Sequence, residues 1–161
     1  MRTEVKERTQ MKEGVFKTIQ NKLNNQLLKD YSKEELLQGL KTMVSSRAID
    51  HKILTLLKQG KAGFLIAGAG HEATQVAFGE VLESGVDWAY PYYRDMSFIM
   101  ALGITNKEII LEMLGKADDP ANGGRQMPNH WGSKRLNIPS QSSPTGTQFL
   151  QAVGTAMAYQ K

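Results

Sequence analysis

Three polar segments in the second half of the chain combine residue types that bind anions and move protons. Tyr92–Asp95 places an arginine behind two tyrosines, Gly123–Gly132 carries a histidine in a loop rich in glycine, and Ser142–Gln148 carries hydroxyls around a Pro-Thr-Gly turn. A guanidinium is a rigid fork of donors that matches a phosphate or a carboxylate. Free amides at a following helix start favour the same ligands. Together the segments predict one side of a binding site for an anionic cofactor.

The charged residues and the histidine of these segments also have purely structural interpretations. Arg94 either binds an anion or forms an ordinary ion pair with a carboxylate such as Asp95 or Glu72. Glu72 lies in the first turn of a predicted helix, where it either complements the helix dipole or, facing a pocket, acts as an acid, base or proton relay. His130 is of the type used in acid–base catalysis, but a lone histidine is also often structural.

The remaining polar segments leave similar alternatives. Gly68–Gly70 precedes a predicted helix but lacks the full dinucleotide fingerprint and the Lys-Ser/Thr of a nucleotide loop, so a tight turn is the alternative to a phosphate cradle. Ser142–Gln148 either caps a helix or offers hydroxyl and carbonyl oxygens to a ligand or a hard cation. The sequence contains no Gly-x-Ser-x-Gly element of the kind found in many hydrolases.

Composition limits the class of protein. The 161 residues are enough for one domain, and the net charge of +4 comes from a basic first third without dense Lys/Arg clusters. This pattern predicts a solvated helical face and argues against nucleic-acid binding. The absence of cysteine excludes disulfides and thiolate metal sites. Because the sequence shows no apolar run of about 20 residues and no secretory or good mitochondrial leader pattern, we expect a cytoplasmic protein without membrane contact.

Periodicity and capping signals predict a mostly helical chain. Residues 1–31 are polar and predict a helical arm or a disordered N-terminus, whereas 32–161 form the folded part. The apolar stripe of the first long helix slips phase near Ser46, Arg47 and Asp50, which face inward or lie at an exposed edge. Residues 116–144 lack a regular pattern, which is unusual in a compact domain unless the segment is functional. The predicted elements are helix 32–58 behind a capping box, helix 71–82, a short strand or extended segment at 88–93, helix 95–102, helix 105–114 behind a second capping box, and helix 147–159.

In their order along the chain, these segments resemble the alpha subunit of the thiamine-diphosphate-dependent component of 2-oxo acid dehydrogenase complexes, of the branched-chain 2-oxo acid type. The resemblance runs from about residue 32 to 161. It is carried by Ser46–Asp50, Lys58–Lys61, Gly70–Thr74, Tyr93–Asp95, Gly124–His130 and Ser142–Gly154. It implies an α/β thiamine-diphosphate-binding fold in the parent protein. This chain would be an incomplete N-terminal part of that domain, mostly α-helical with one or two short strands.

The resemblance also implies roles for individual residues. Tyr93 and Arg94 match positions that contact the cofactor diphosphate, and Ser143 and Thr145 match positions that lie against the cofactor. Thr145 departs from the family pattern, in which a larger apolar residue is common. His130 and Glu72 match residues on the substrate or proton-relay side and are the candidate catalytic residues. The positions that hold a structural potassium ion are matched by Ser142, Pro144, Thr147 and Gln148.

The implied activity is oxidative decarboxylation of a 2-oxo acid, with the acyl group passed to a lipoyl acyltransferase core. The implied partner is a beta subunit or beta region, in a heterotetramer or a fused dimer. The Gly-Asp-Gly segment and the downstream asparagine that hold magnesium in the family are not in this sequence, so we expect magnesium ligands mostly outside this chain and no activity of this portion alone. A truncated binding or assembly module and an acetoin- or pyruvate-type thiamine enzyme are the alternatives.

Overall fold

The structure is a computed structural model that describes residues 31–160. The predicted arm at 1–31, except for its last residue, lies outside the described residues. Helices dominate the described part, so the prediction of a mostly helical chain is confirmed. In chain order the elements are α1 (Lys33–Lys58), α2 (Glu72–Glu80), α3 (Met96–Ala101), α4 (Asn106–Met113), a short 3₁₀ helix (Lys134–Leu136) and α5 (Thr147–Tyr159).

The chain divides into two compact units, Met1–Leu37 and Gln38–Lys161. In the first unit the described residues form the start of α1, where the predicted capping box is present. The Ser32 hydroxyl accepts from the Glu35 amide at 3.2 Å, and the Glu35 carboxylate accepts from the Ser32 amide at 2.6 Å. All other features described below belong to the second unit.

The predicted short strands are not found among residues 31–160, where the one strand-like contact is an isolated antiparallel bridge between Ser133 and Ile138. The aromatic segment at 88–93 is extended, and its Ala89 amide donates to the Asn137 carbonyl at 3.1 Å. A ladder does not continue from there because Pro91 has no amide hydrogen and the chain enters a turn at Tyr93.

The core of the second unit is built around the short helix α3, whose first four residues are buried. Helix α2 packs closely on α3, and Gly79 makes this possible, since a Cβ there would lie 2.5 Å from the Ala101 Cβ. The apolar side chains that complete the core come from α1, α4 and the long loop; they include Ile53, Ile109, Met113, Trp131 and Ile138.

Helix α1 does not bury the stripe that its leucines suggest. Leu40 and Val44 are exposed, whereas Ser46, Asp50 and Ile53 are buried. The sequence left open whether the polar residues near the phase slip face inward or lie at an exposed edge. In the structure Ser46 and Asp50 face inward, whereas Arg47 is exposed. The long segment at 116–144 is largely irregular, as predicted. No helix within residues 31–160 has the length and apolar character needed to cross a membrane.

Candidate functional site

The glycine-rich loop before α2 and the turn before α3 lie in direct contact. Arg94 Nη1 donates to the Ala67 carbonyl at 3.1 Å. A Cβ at Gly68 would lie 2.6 Å from the Arg94 carbonyl oxygen, so only glycine fits there without movement of the backbone. The Gly68 amide donates to Asp50 Oδ2 at 3.0 Å in a buried hydrogen bond. Helix α1 thus holds the loop, and the loop holds Arg94.

The Arg94 side chain is exposed, and its only hydrogen bond within the described residues is the one to Ala67. The ion pairs considered from sequence do not form. Asp95 instead accepts from the Tyr92 amide at 2.8 Å and from Gln75 Nε2 at 3.1 Å, and Glu72 pairs with Arg47. Most of the guanidinium fork is therefore directed to solvent, where it can receive an anionic ligand.

The ring of Tyr93, over which Arg94 lies, belongs to a chain of linked hydroxyl groups. The Tyr92 and Tyr93 hydroxyls are in hydrogen-bond contact, and the Arg94 guanidinium carbon lies 5.8 Å from the Tyr93 ring centroid. The Tyr92 hydroxyl is also 3.4 Å from Thr145 Oγ1. Hydrogen bonds from Thr145 and then Tyr93 lower the pKa of Tyr92 below its ordinary value. The predicted cofactor residues Tyr93, Arg94 and Thr145 therefore share one surface, with Tyr92 as the link that sequence reasoning had not assigned.

His130 and Ser143 form a second part of the site. His130 is buried, and its Nε2 lies 2.6 Å from Ser143 Oγ. Its Nδ1 lies 3.1 Å from the Pro128 carbonyl oxygen, which can only accept, so Nδ1 is the donor. In the neutral ring Nε2 then accepts from the serine hydroxyl. This arrangement can hold a proton on one ring nitrogen and take or give one at the other.

Glu72 lies elsewhere in the network. Its Oε1 is 2.5 Å from Arg47 Nε, and its Oε2 accepts from the Gly70 amide at 2.8 Å. Burial raises the pKa of Glu72, but the hydrogen bonds from backbone amides and Arg47 outweigh it, so the pKa lies below its ordinary value. The structure gives Glu72 no hydrogen bond to His130 or to Arg94 among the described residues. Its geometry agrees with the helix-dipole interpretation, and its catalytic role stays a prediction.

Oxygen atoms converge at the start of α5. The Ser142 and Thr147 hydroxyls are in hydrogen-bond contact, and Thr147 Oγ1 donates to the Pro144 carbonyl at 3.0 Å. Gln148 Oε1 accepts from the Gly146 amide at 3.1 Å. Three of the four predicted cation ligands are therefore mutual neighbours. Within residues 31–160 no three His, Cys, Asp or Glu side chains cluster as a metal site would require, so a cation here would rely on uncharged oxygens.

Sequence reasoning did not assign three buried polar residues that hold these loops. They are Asp50, Gln75 and Glu112, on α1, α2 and α4. Burial raises the pKa of Asp50, and burial together with the neighbouring Asp119 raises the pKa of Glu112 to about 8. The signal that could have identified them is a polar residue beside buried apolar positions of a helix.

Comparison with known proteins agrees with the resemblance. Residues 40–161 match the model of the dehydrogenase E1 component family, and the chain belongs to that family. It is 42% identical over 125 residues to the 2-oxoisovalerate dehydrogenase subunit alpha of Bacillus subtilis, covering 78% of this chain and 38% of that protein. It is 33% identical over 129 residues to the mitochondrial 2-oxoisovalerate dehydrogenase subunit alpha of Dictyostelium discoideum, covering 80% and 29%.

A pyruvate-type relative is also similar. The pyruvate dehydrogenase E1 component subunit alpha of Staphylococcus aureus is 33% identical over 141 residues, covering 88% of this chain and 35% of that protein. The chain thus spans well under half the length of these relatives. The predicted resemblance to a 2-oxo acid dehydrogenase alpha subunit is confirmed.

Proposed function

We propose that this chain supplies one wall of the thiamine diphosphate site in an enzyme that oxidatively decarboxylates a branched-chain 2-oxo acid. The observation that carries the proposal is the Arg94 guanidinium, which is exposed, is fixed at one corner by Ala67, and lies over the ring of Tyr93. The Tyr93 hydroxyl is in turn linked through the Tyr92 hydroxyl to Thr145. Charged donors beside neutral hydroxyls fit a diphosphate. The absence of a Cβ at Gly68 lets the glycine-rich loop pack against the backbone of Arg94.

Each predicted site residue has a defined role in the proposal. Tyr93 and Arg94 bind the diphosphate, while Ser143 and Thr145 orient the rest of the cofactor. When bound, thiamine diphosphate supplies covalent catalysis and accepts the electrons released as carbon dioxide leaves. His130 holds a proton on Nδ1 and exchanges one at Nε2 beside Ser143, where a substrate oxygen would lie.

Glu72 is proposed to serve the proton-relay side of the site. Its carboxylate is ionised near neutral pH because its hydrogen bonds lower its pKa, so it can accept a proton. The ion pair with Arg47 limits its basicity, which makes His130 the stronger candidate for the main acid–base step.

Two cations complete the proposed site. Magnesium would accompany the diphosphate, and its other ligands are proposed to lie mostly outside these 161 residues, which contain no Gly-Asp-Gly segment. Potassium is proposed at the start of α5, because the convergent oxygens there are all uncharged and suit a singly charged ion. Its ligands would be Ser142, Pro144, Thr147 and Gln148.

The proposed partners are a beta subunit or beta region and a lipoyl acyltransferase core that receives the acyl group. Helix α5 supports the proposal of a beta subunit or beta region as a partner. None of its residues is buried, and its large apolar side chains Phe149, Leu150, Val153 and Met157 are mostly exposed. A helix of this kind favours burial against further protein.

The diphosphate role is tested by Arg94→Ala in the full alpha–beta assembly, with Arg135→Ala as a matched control. Arg135 is also exposed and also donates to a backbone carbonyl, that of Gly103. Loss of a charged hydrogen bond of about 1–3 kcal/mol predicts roughly 5- to 150-fold weaker binding of thiamine diphosphate by calorimetry with magnesium present. The control should bind normally. Unchanged affinity in Arg94→Ala would refute the role.

Substrate class is tested on the same assembly by comparing kcat/KM for branched-chain 2-oxo acids with that for pyruvate. The branched-chain proposal expects the former to be larger. Higher kcat/KM for pyruvate would favour the pyruvate type, which the similarity to the Staphylococcus aureus subunit keeps as the second candidate. Absence of turnover with every 2-oxo acid, despite bound cofactor, would favour an assembly module.

A further inference from the structure

We propose that Glu112 is a positioning residue that sets the place of His130 in the site; the inference rests on the proposed role of His130. Glu112 lies on α4 and is 5% exposed, although glutamate is rarely buried in proteins. Its Oε1 accepts a buried hydrogen bond from the His130 amide at 3.0 Å.

The loop that carries His130 needs such support because it lacks regular structure. Asn129 is completely buried and adopts a left-handed conformation with φ of 67°, which is uncommon for a residue with a side chain. Amides in such a loop cannot find partners in a helix or sheet, and leaving a buried amide without one is costly. The carboxyl group of Glu112 supplies the partner.

The loop is held at three consecutive residues by three different segments. Asn129 Oδ1 accepts from the Ile66 amide at 3.0 Å, and the Trp131 amide donates to Gln141 Oε1 at 3.0 Å. Between them, Glu112 holds the backbone of His130 itself. The first two contacts fix the direction of the loop on either side, and the third fixes the residue whose ring reaches Ser143.

The position of the His130 ring follows from this backbone contact. Nδ1 bonds to Pro128 two residues earlier, so the ring moves with the loop. Nε2 lies 2.6 Å from Ser143 Oγ, on a separate segment. A shift of about 1 Å in the loop would break that contact and would misplace the imidazole for any proton transfer at Nε2.

Glu112 acts here as a neutral acceptor. Burial and Asp119 raise its pKa to about 8, so the acid is largely protonated at neutral pH. A cavity of about 220 Å³ lies beside it, also lined by the charged residues Glu108, Asp119, Lys134 and Arg135. No hydrogen bond joins Glu112 to either basic residue in the described part of the chain. A glutamine should therefore be able to replace Glu112 as the acceptor for the His130 amide. A side chain that has no acceptor should not be able to replace it.

The test compares Glu112→Gln with Glu112→Met, which keeps a similar volume but removes the acceptor. Histidines are labelled with diethyl pyrocarbonate in the full assembly without added cofactor, and labelling is followed by peptide mass spectrometry. The exposed His51 and His71 serve as internal references for the buried His130. Loss of about 1 kcal/mol of loop stability predicts roughly fivefold faster labelling of His130 in Glu112→Met. Glu112→Gln should match the wild type.

The inference would be overturned if His130 stays protected from labelling in Glu112→Met. It would also be overturned if His130 is labelled as fast in Glu112→Gln as in Glu112→Met. Unfolding midpoints of both variants show whether faster labelling comes from local opening or from a chain that has lost its fold, and faster labelling through general unfolding would also count against it. In turnover assays Glu112→Met should lower kcat while the cofactor Kd is unchanged, and Glu112→Gln should restore kcat. If His130→Asn is fully active, the proposed function of His130 fails, whereas the labelling result still decides the positioning role.

Discussion

Gln75 should be the most sensitive polar residue of α2, because it braces the turn that presents Arg94. Its Nε2 donates to the Arg94 carbonyl and to Asp95 Oδ1, both at 3.1 Å, and its Oε1 accepts from the Ser97 amide at 3.2 Å. The residue is 8% exposed and Ser97 is 1% exposed, so water cannot easily replace these bonds. Gln75→Met keeps the length and packing of the side chain but removes all three.

The expected loss in the free energy of unfolding follows from the number of hydrogen bonds that Gln75→Met removes. Each hydrogen bond contributes about 1 kcal/mol net, and the buried Ser97 amide left without a partner adds to the loss, so Gln75→Met should lower the free energy of unfolding by about 2–4 kcal/mol. Gln75→Glu should be at least as harmful at neutral pH. A carboxylate cannot donate to the Arg94 carbonyl, and it would face Asp95, whose own pKa burial already raises.

Urea unfolding of the purified protein, followed by circular dichroism, measures this loss. Thr74→Met is the matched control, because Thr74 is the exposed neighbour of Gln75 on the same helix. The control should change the free energy of unfolding by less than about 0.5 kcal/mol. A loss under about 1 kcal/mol in Gln75→Met would refute the reasoning, since it would mean that the three bonds do not hold the turn.

Four further substitutions have defined outcomes. The pKa of Glu112, raised from 4.5 to about 8, means that the folded state binds more protons between these values, so wild-type stability falls as pH rises through that window. Glu112→Gln should remove this slope, about 3 kcal/mol between pH 5 and pH 8, in urea unfolding at several pH values. Gly79→Ala should destabilise by about 1–3 kcal/mol through its clash with Ala101, whereas Gly154→Ala, which meets nothing within 4 Å, should stabilise α5 by about 0.5–1 kcal/mol; thermal melts compare the two. Thr105→Ala should cost about 1 kcal/mol by removing the capping box of α4, and an unchanged melting temperature would contradict that.

The helices were predictable because their signals are local. The capping boxes at Ser32 and Thr105 are both present, and α4 at Asn106–Met113 lies within the predicted 105–114. Glycines in left-handed conformations follow α1 and α4 at Gly60 and Gly115, where the sequence predicts helix ends. A cap or a stop depends on a few neighbouring residues, so no knowledge of the tertiary fold was needed.

The buried face of α1 was not predictable in the same way. Leucine periodicity favours a face that includes Leu40 and Val44, yet the helix packs through Ser46, Asp50 and Ile53. What decides the face is the partner it meets, and Asp50 has one in the Gly68 amide, 18 residues away in sequence. Periodicity records which residues are apolar but not which loop amide requires an acceptor.

The same limit explains why the site could be predicted in pieces but not as an assembly. Three of the loops that carry the proposed site are each held in part by a buried polar side chain on a helix: Asp50 of α1 holds Gly68, Gln75 of α2 holds the carbonyl of Arg94, and Glu112 of α4 holds the amide of His130. In sequence such residues resemble solvent-exposed helix positions. They differ in standing beside buried apolar residues, as Asp50 does at Ile49, Gln75 at Val76 and Glu112 at Met113. Because an unpaired polar group at such a position is destabilising, its presence indicates a partner in an irregular segment, and in this chain those segments are the ones that carry the proposed chemistry.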